Sequence, residues 1–213
     1  ATGTQAFTIV VANTNDAPSI TSTGGTAVDE DSLYSYSITT SDVDSDSSDS
    51  WTITSSTVSW LTMTDAGDGT ATLAGTPANG DVGSHSVTVT VADAGGLTDT
   101  ETFTIVVTNT NDAPTISSTA VTAATEDTAY TYTVTTSDVD AGDGVTLTGT
   151  TVPSWATFTA STGVLAGTPL DADVGDNSVV ITASDGDASV TDTFTITVAN
   201  TNDAPSISST AVT

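Results

Sequence analysis

FTIVVTNTNDAP (residues 103–114) decides the reading of this chain. A stretch of β-branched and aromatic residues runs into a short polar word, and the pair recurs as FTIVVANTNDAP at 7–18 and FTITVANTNDAP at 194–205. NTNDAP therefore begins at 13, 109 and 200, at spacings of 96 and 91 residues, about the length of a small all-β domain. Agreement extends outward from it. EDSLYSYSITTSDVD (30–44) matches EDTAYTYTVTTSDVD (126–140), SWLTM (59–63) matches SWATF (154–158), TLAGTP (72–77) matches VLAGTP (164–169), and GDVG (80–83) matches ADVG (172–175). The expected organisation is 1–16 as the last strand and linker of a preceding repeat, 17–112 and 113–203 as two complete repeats, and 204–213 as the first strand of a following one.

Within each repeat the apolar residues alternate with Thr or Ser, the period of a half-buried strand. Tyr34, Tyr36 and Ile38 form one such series, Val87, Val89 and Val91 a second, and Phe103, Ile105 and Val107 a third. Tyr130, Tyr132 and Val134, with Phe194, Ile196 and Val198, repeat it. Short strands are also expected over 18–22, 50–55, 60–64 and 70–75, separated by the turn residues at 24–25, 67–69, 76–81 and 93–96. The fold class is all-β: two tandem Greek-key β-sandwiches of about seven strands each, with orphan strands of adjacent repeats at both ends.

Composition narrows the function. The chain has no Lys or Arg against 27 Asp and Glu, a formal charge of −27. Nucleic acid is excluded as a partner, and so are anionic membrane surfaces, because nothing can neutralise phosphate. No apolar run approaches a membrane-spanning length. With no Cys there is no disulfide framework. Lacking Cys, Lys and Arg and holding one His, the chain is read as non-enzymatic. A two-carboxylate glycosidase stays formally open, but the acids recur in both repeats rather than in one cleft.

Those acids fall at strand ends. Asp42 and Asp44 follow the second strand, as Asp138 and Asp140 do; Glu30 and Glu126 precede it; Asp93 and Asp185 end the penultimate strand. In a sandwich these loops gather at two poles with the incoming and outgoing NTND linkers, converging carboxylate, amide and backbone oxygens. Like charges that close repel unless a cation lies among them, and a hard-oxygen set of this kind suits calcium. A solvated acidic surface is the competing reading. Trp60 and Trp155 are read as core residues rather than sugar platforms. Trp51, without a counterpart in the second repeat, is a candidate exposed ring, and His85 has no metal or catalytic role.

NTNDAP resembles the cadherin linker D-x-N-D-N-x-P, and the DVD loop resembles the cadherin D-x-D motif. The W…LAGTP…DVG…VTVTVAD run is similar to the dystroglycan-type cadherin-like and putative immunoglobulin-like domains of large bacterial surface proteins. The resemblance spans both repeats and implies calcium between successive domains. It implies Glu30, Asn109, Asn111, Asp112, Asp138, Asp140 and Asp185 as ligands at the middle seam. At the first seam it implies Asn13, Asn15, Asp16, Asp42, Asp44 and Asp93, and at the last Glu126, Asn200, Asn202 and Asp203. Three departures imply one or two ions per seam rather than three. Asn opens the linker, Ala113 stands where cadherins carry a second Asn, and D-R-E cannot occur without Arg, leaving Asp81 and Asp173 as stand-ins for its first acid.

The implied function is a calcium-stiffened structural stalk or filament segment of a large adhesin-type protein, secreted or at the cell surface. Its partners would be neighbouring repeats or other copies in a filament. The alternatives are a recognition module for cell-surface glycans and an inert acidic spacer without metal.

Overall fold

A computed structural model describes residues 1–44, 52–140, 142 and 144–205. The readings placed on Trp51 and on 206–213 lie outside them. The chain divides into two compact units, Ala1–Thr110 and Asn111–Thr213.

The first unit contains β1 (Ser19–Ile20), β2 (Ala27–Asp29), β3 (Tyr34–Ser41), β4 (Thr52–Ser55), β5 (Thr62–Asp65), β6 (Thr70–Gly75), β7 (Gly83–Ala92) and β8 (Thr98–Thr108). They form two sheets, ordered β1-β3-β6-β5 and β2-β8-β7-β4. The chain crosses between sheets after β1, β2, β3, β4 and β6, the alternation of a Greek-key sandwich. The expected alternation is what buries: Tyr34, Tyr36, Ile38, Leu73, Val87, Val89, Val91 and Ile105 form the core. The intervening Thr and Ser residues pair across the outer face, as Thr21 with Thr39 at 2.9 Å and Thr88 with Thr102 at 3.0 Å.

The second unit repeats the plan with β9 (Thr115–Ile116), β10 (Ala123–Thr125), β11 (Tyr130–Thr133), β12 (Thr136–Ser137), β13 (Thr146–Thr151), β14 (Ala156–Thr159), β15 (Val164–Gly167), β16 (Gly175–Ser184) and β17 (Ser189–Ala199). β11 and β12 are two halves of the segment that β3 spans unbroken, so one sheet reads as β11-β15-β14 plus β12-β9, while the other is β10-β17-β16-β13.

Each core is pinned by two edge-to-face ring pairs. Tyr34 meets Trp60 and Tyr36 meets Phe103, at centroid distances of 6.0 and 5.6 Å; Tyr130 meets Trp155 and Tyr132 meets Phe194, both at 5.6 Å. Such pairs add about 0.5–1.5 kcal/mol each beyond the area they bury. The LAGTP motif follows from this packing. A Cβ on Gly75 or Gly167 would collide with the carbonyl oxygen of Trp60 or Trp155, so only glycine lets the Trp-bearing turn approach.

β2 and β10 were not legible as strands. Each is three residues long and pairs in parallel with the last strand of its own unit, Ala27 with Val106 and Ala123 with Thr197. Three residues are too few to show a period. Residues 1–18 take no strand within this chain. Phe7, Ile9 and Val11 are 78%, 74% and 87% exposed.

Candidate metal centre

The parallel pairing of β2 and β10 positions one acid per unit. Because β2 ends beside Thr108, the next residue, Glu30, lies against the chain as it leaves the unit; its NH donates to Thr108 O at 3.0 Å. Glu126 NH donates likewise to Ala199 O at 3.1 Å. The following residues, Asp31 and Asp127, both adopt φ of 58°, in the left-handed region, and send their NH groups to Pro77 O and Pro169 O at 2.8 Å. This reversal turns each Glu inward. Glu30 is 2% exposed and Glu126 1%. Glu30 Oε1 accepts from Thr110 NH at 2.7 Å, and Glu126 Oε1 accepts from Thr201 NH. The second oxygen of each, Oε2, is buried with no hydrogen-bond partner.

At this pole of the second unit, carboxylate oxygens of Glu126, Asp171 and Asp203 lie within 4.8 Å of one another. Three negative charges at that separation repel by about 1 kcal/mol per pair in water and by several in a less polar setting. No Lys or Arg exists in the chain to offset them. Glu126 and Asp203 were expected here; Asp171 was not. Asp81 and Asp173, the proposed stand-ins, are used differently. Each caps its own 3-10 turn, Asp81 Oδ2 accepting from Ala78 NH at 3.0 Å and Asp173 Oδ2 from Leu170 NH at 2.9 Å. The signal for Asp171 was the acid two residues earlier in the same turn.

The opposite pole gathers the incoming linker. In the first unit Asn13 Nδ2 donates to Asp44 Oδ1 at 2.7 Å, Asp16 NH to Asp44 Oδ2 at 2.5 Å, and Asn15 Nδ2 to Asp93 Oδ2 at 2.9 Å. Asp42 Oδ1 accepts from Asp44 NH at 2.9 Å. The second unit repeats this: Asp112 NH to Asp140 Oδ2 at 2.7 Å, Asn111 Nδ2 to Asp185 Oδ2 at 3.2 Å, and Asp140 NH to Asp138 Oδ1 at 3.0 Å. Asp140 is buried, and Asp138 Oδ2 is buried without a partner. The Asn15 amide, with the backbone NH of Leu97, holds the Asp93 carboxyl below its ordinary value. The backbone NH groups of Ala188 and Asp187, with Asn111, do the same for Asp185.

The set expected at the middle seam thus divides, with Glu30 and Asn109 in the first unit and Asn111, Asp112, Asp138, Asp140 and Asp185 in the second. Asn109 is exposed. Asn200 and Asn202 turn their amides to their own linker, donating to Thr201 O at 3.0 Å and Asp203 O at 3.4 Å.

Trp60 and Trp155 are half-buried and pack against the two cores. Trp155 Nε1 donates to Asn177 Oδ1 at 3.1 Å. His85 takes the place of Asn177 in the first unit. It donates from Nε2 to Asp81 O at 2.6 Å and stands edge-on to Trp60, whose Nε1 is buried without a partner.

The family model described as "Putative Ig domain" matches residues 17–108 and again 113–199. The chain belongs to this family. Its two Ig domains are similar in structure to extracellular cadherin domains 1–5 of protocadherin gamma B2, with a TM-score of 0.55 at 17% identity over 91% of this chain and 42% of that one. The human desmocollin-1 ectodomain aligns with a TM-score of 0.49 at 17% identity over 89% and 42% of the two chains. An endo-fucoidan hydrolase of glycoside hydrolase family 107 aligns with a TM-score of 0.40 at 28% identity over 87% and 29%. The protocadherin likeness shows the fold: tandem cadherin-like and Ig-like β-sandwiches. The chain spans less than half the length of these proteins. No curated protein matches it. Among the described residues no helix is long and apolar enough to cross a membrane.

Proposed function

We propose that these Ig domains are a calcium-stiffened segment of a structural stalk or extracellular filament in a large secreted or surface-attached adhesin-type protein. The observation that carries this is the pair Glu30 and Glu126. Each is a buried carboxylate in a chain without Lys or Arg, tied by one oxygen to a linker NH and left with the other unpartnered. A buried, uncompensated carboxylate is costly, and burial is relieved by pairing or by a metal. Calcium accepts six to eight oxygens in flexible geometry, and the set here offers carboxylate, amide and backbone oxygens. When bound, calcium supplies positive charge and crosslinks the oxygens around it. Glu30 and Glu126 would hold it from the outgoing side of a linker. Asp42, Asp44 and Asp93, or Asp138, Asp140 and Asp185, would hold it from the incoming side.

The linker makes this mechanical. Thr110 NH belongs to the Glu30 bond and Asp112 NH to the Asp140 bond, so a cation held at either carboxylate would restrain the linker residue bonded to it. The recurrence of the same poles in both units supports a load-bearing array over a single binding cleft. The glycan reading asks for an exposed aromatic platform; among the described residues, Trp60 and Trp155 are packed edge-on against tyrosines instead.

Small-angle scattering in chelator and in millimolar calcium tests the stalk. A narrower, longer distance distribution in calcium supports it. Calcium binding with no change in the distribution would leave the ion without a mechanical role.

A further inference from the structure

The two 3-10 turns differ at one position with chemical consequences. Asn79 opens Asn79–Asp81 in the first unit, and Asp171 opens Asp171–Asp173 in the second. The frames around them match. Asp81 NH donates to Ala78 O at 2.7 Å and Asp173 NH to Leu170 O at 2.8 Å, while Pro77 O and Pro169 O each accept the left-handed Asp at 2.8 Å. Asn79 and Asp171 therefore occupy equivalent positions in the two turns, each turn bonded to the residue that follows Glu30 or Glu126. At that place the second unit presents a carboxylate within 4.8 Å of those of Glu126 and Asp203. The first presents an amide.

An acidic cluster on an exposed turn needs no ion to explain it, because water solvates it. Glu126 is the independent sign of a ligand here: it is 1% exposed, and its Oε2 has neither water access nor a hydrogen bond. We infer that Asp171 makes the outgoing pole of the second unit a stronger calcium site than Asn79 makes the equivalent pole of the first, so that this single turn residue grades the two poles. The inference rests on the calcium reading above and adds an order to it.

The grading follows from ligand charge. Calcium affinity of oxygen sites is tuned by how many ligands are charged. Replacing an amide dipole by a unit charge within 5 Å of a divalent ion changes affinity by about tenfold in a well-hydrated setting. The same charge adds repulsion to the ion-free pole, so the Asp171 pole both gains more from calcium and loses more when it is withdrawn. As calcium falls, the Asn79 pole releases its ion first and the Asp171 pole holds its own.

The test is calorimetric calcium titration of the 213-residue chain and of Asn79→Asp, Asp171→Asn and the double variant Glu30→Gln/Asn79→Asp. Asn79→Asp is expected to strengthen one class of site about tenfold and Asp171→Asn to weaken another about tenfold. The gain from Asn79→Asp should vanish when Glu30 is Gln, because the two would share an ion. Calcium binding with both single substitutions silent overturns the grading and leaves the calcium reading standing. An Asn79→Asp gain that persists without Glu30 places the new charge at another site and also overturns it. No calcium binding by any variant removes the calcium reading itself.

Discussion

Thr110 NH donates to Glu30 Oε1 at 2.7 Å, joining the linker to a buried side chain eighty positions earlier in sequence. Glu126 and Thr201 make the same bond in the second unit. In both, the acid is buried, and half of it is unpartnered. This couples the charge state of the pole to the path of the chain leaving the domain.

Glu30→Gln keeps the acceptor for Thr110 and removes the charge. In chelator the variant should be at least as stable as the parent, because an uncompensated buried charge is gone. In millimolar calcium the order should reverse, the parent being the more stable by about 1–3 kcal/mol. Paired thermal melts in the two buffers read the sign change; the same order in both buffers would contradict it.

Asp31 holds φ at 58°, which aspartate tolerates and a β-branched residue does not. Asp31→Gly should stay within about 0.5 kcal/mol of the parent. Asp31→Val should lose about 2 kcal/mol, the strain of a left-handed β-branched residue. Denaturant midpoints of the two variants measure the difference, and equal midpoints would show that the turn does not hold this conformation in solution.

His85 leaves Trp60 Nε1 buried and unpartnered, whereas Asn177 accepts from Trp155 Nε1 at 3.1 Å and donates to Asp173 O at 2.9 Å. His85→Asn should therefore stabilise the first unit by about 1 kcal/mol, the net value of one satisfied buried donor. The reciprocal Asn177→His should cost a similar amount. Melting curves of both variants check the pair.

Alkaline stability depends on the tyrosines. Burial pushes the hydroxyls of Tyr34, Tyr36 and Tyr130 up to about 12 from 10.0. Glu101 adds to the rise in the first two, and Tyr132 in the third. A raised folded value means the protonated form stabilises the fold fully below pH 10 and that this contribution is lost as pH rises through about 12. Asp93 and Asp185 behave oppositely. Their values lie below 3.8 in the fold, so their contribution is present above that pH and lost as pH falls through the lower value. Denaturant midpoints should decline as pH rises above 10, and Asp93→Asn should remove part of any decline seen as pH falls below 3.8.

Much of the fold was legible because its core is strictly periodic. Tyr34, Tyr36 and Ile38 alternate with serines in sequence and bury in that order. LAGTP could be seen as a shared motif, but its reason, the close approach of the Trp-bearing turn to Gly75 and Gly167, needs the packed structure. β2 and β10 escaped notice because three residues paired in parallel leave no pattern. Those strands place Glu30 and Glu126, so the acids were visible while the device that buries them was not. Asp171 was missed for a related reason. Asp171 and Asp173 are chemically identical, and only the turn geometry sends one to its own backbone and the other toward Glu126.

The most direct measurement is the melting temperature of the chain in millimolar calcium against the same buffer with chelator. Calcium that binds only the folded pole stabilises it by mass action, and sites of extracellular type, with affinities on the order of 10⁻⁴–10⁻³ M, respond in this range. The account predicts a higher melting temperature in calcium, with most of the rise abolished by Asp112→Ala combined with Asp140→Ala. An unchanged melt would contradict it and leave an acidic spacer that carries its buried carboxylates without metal.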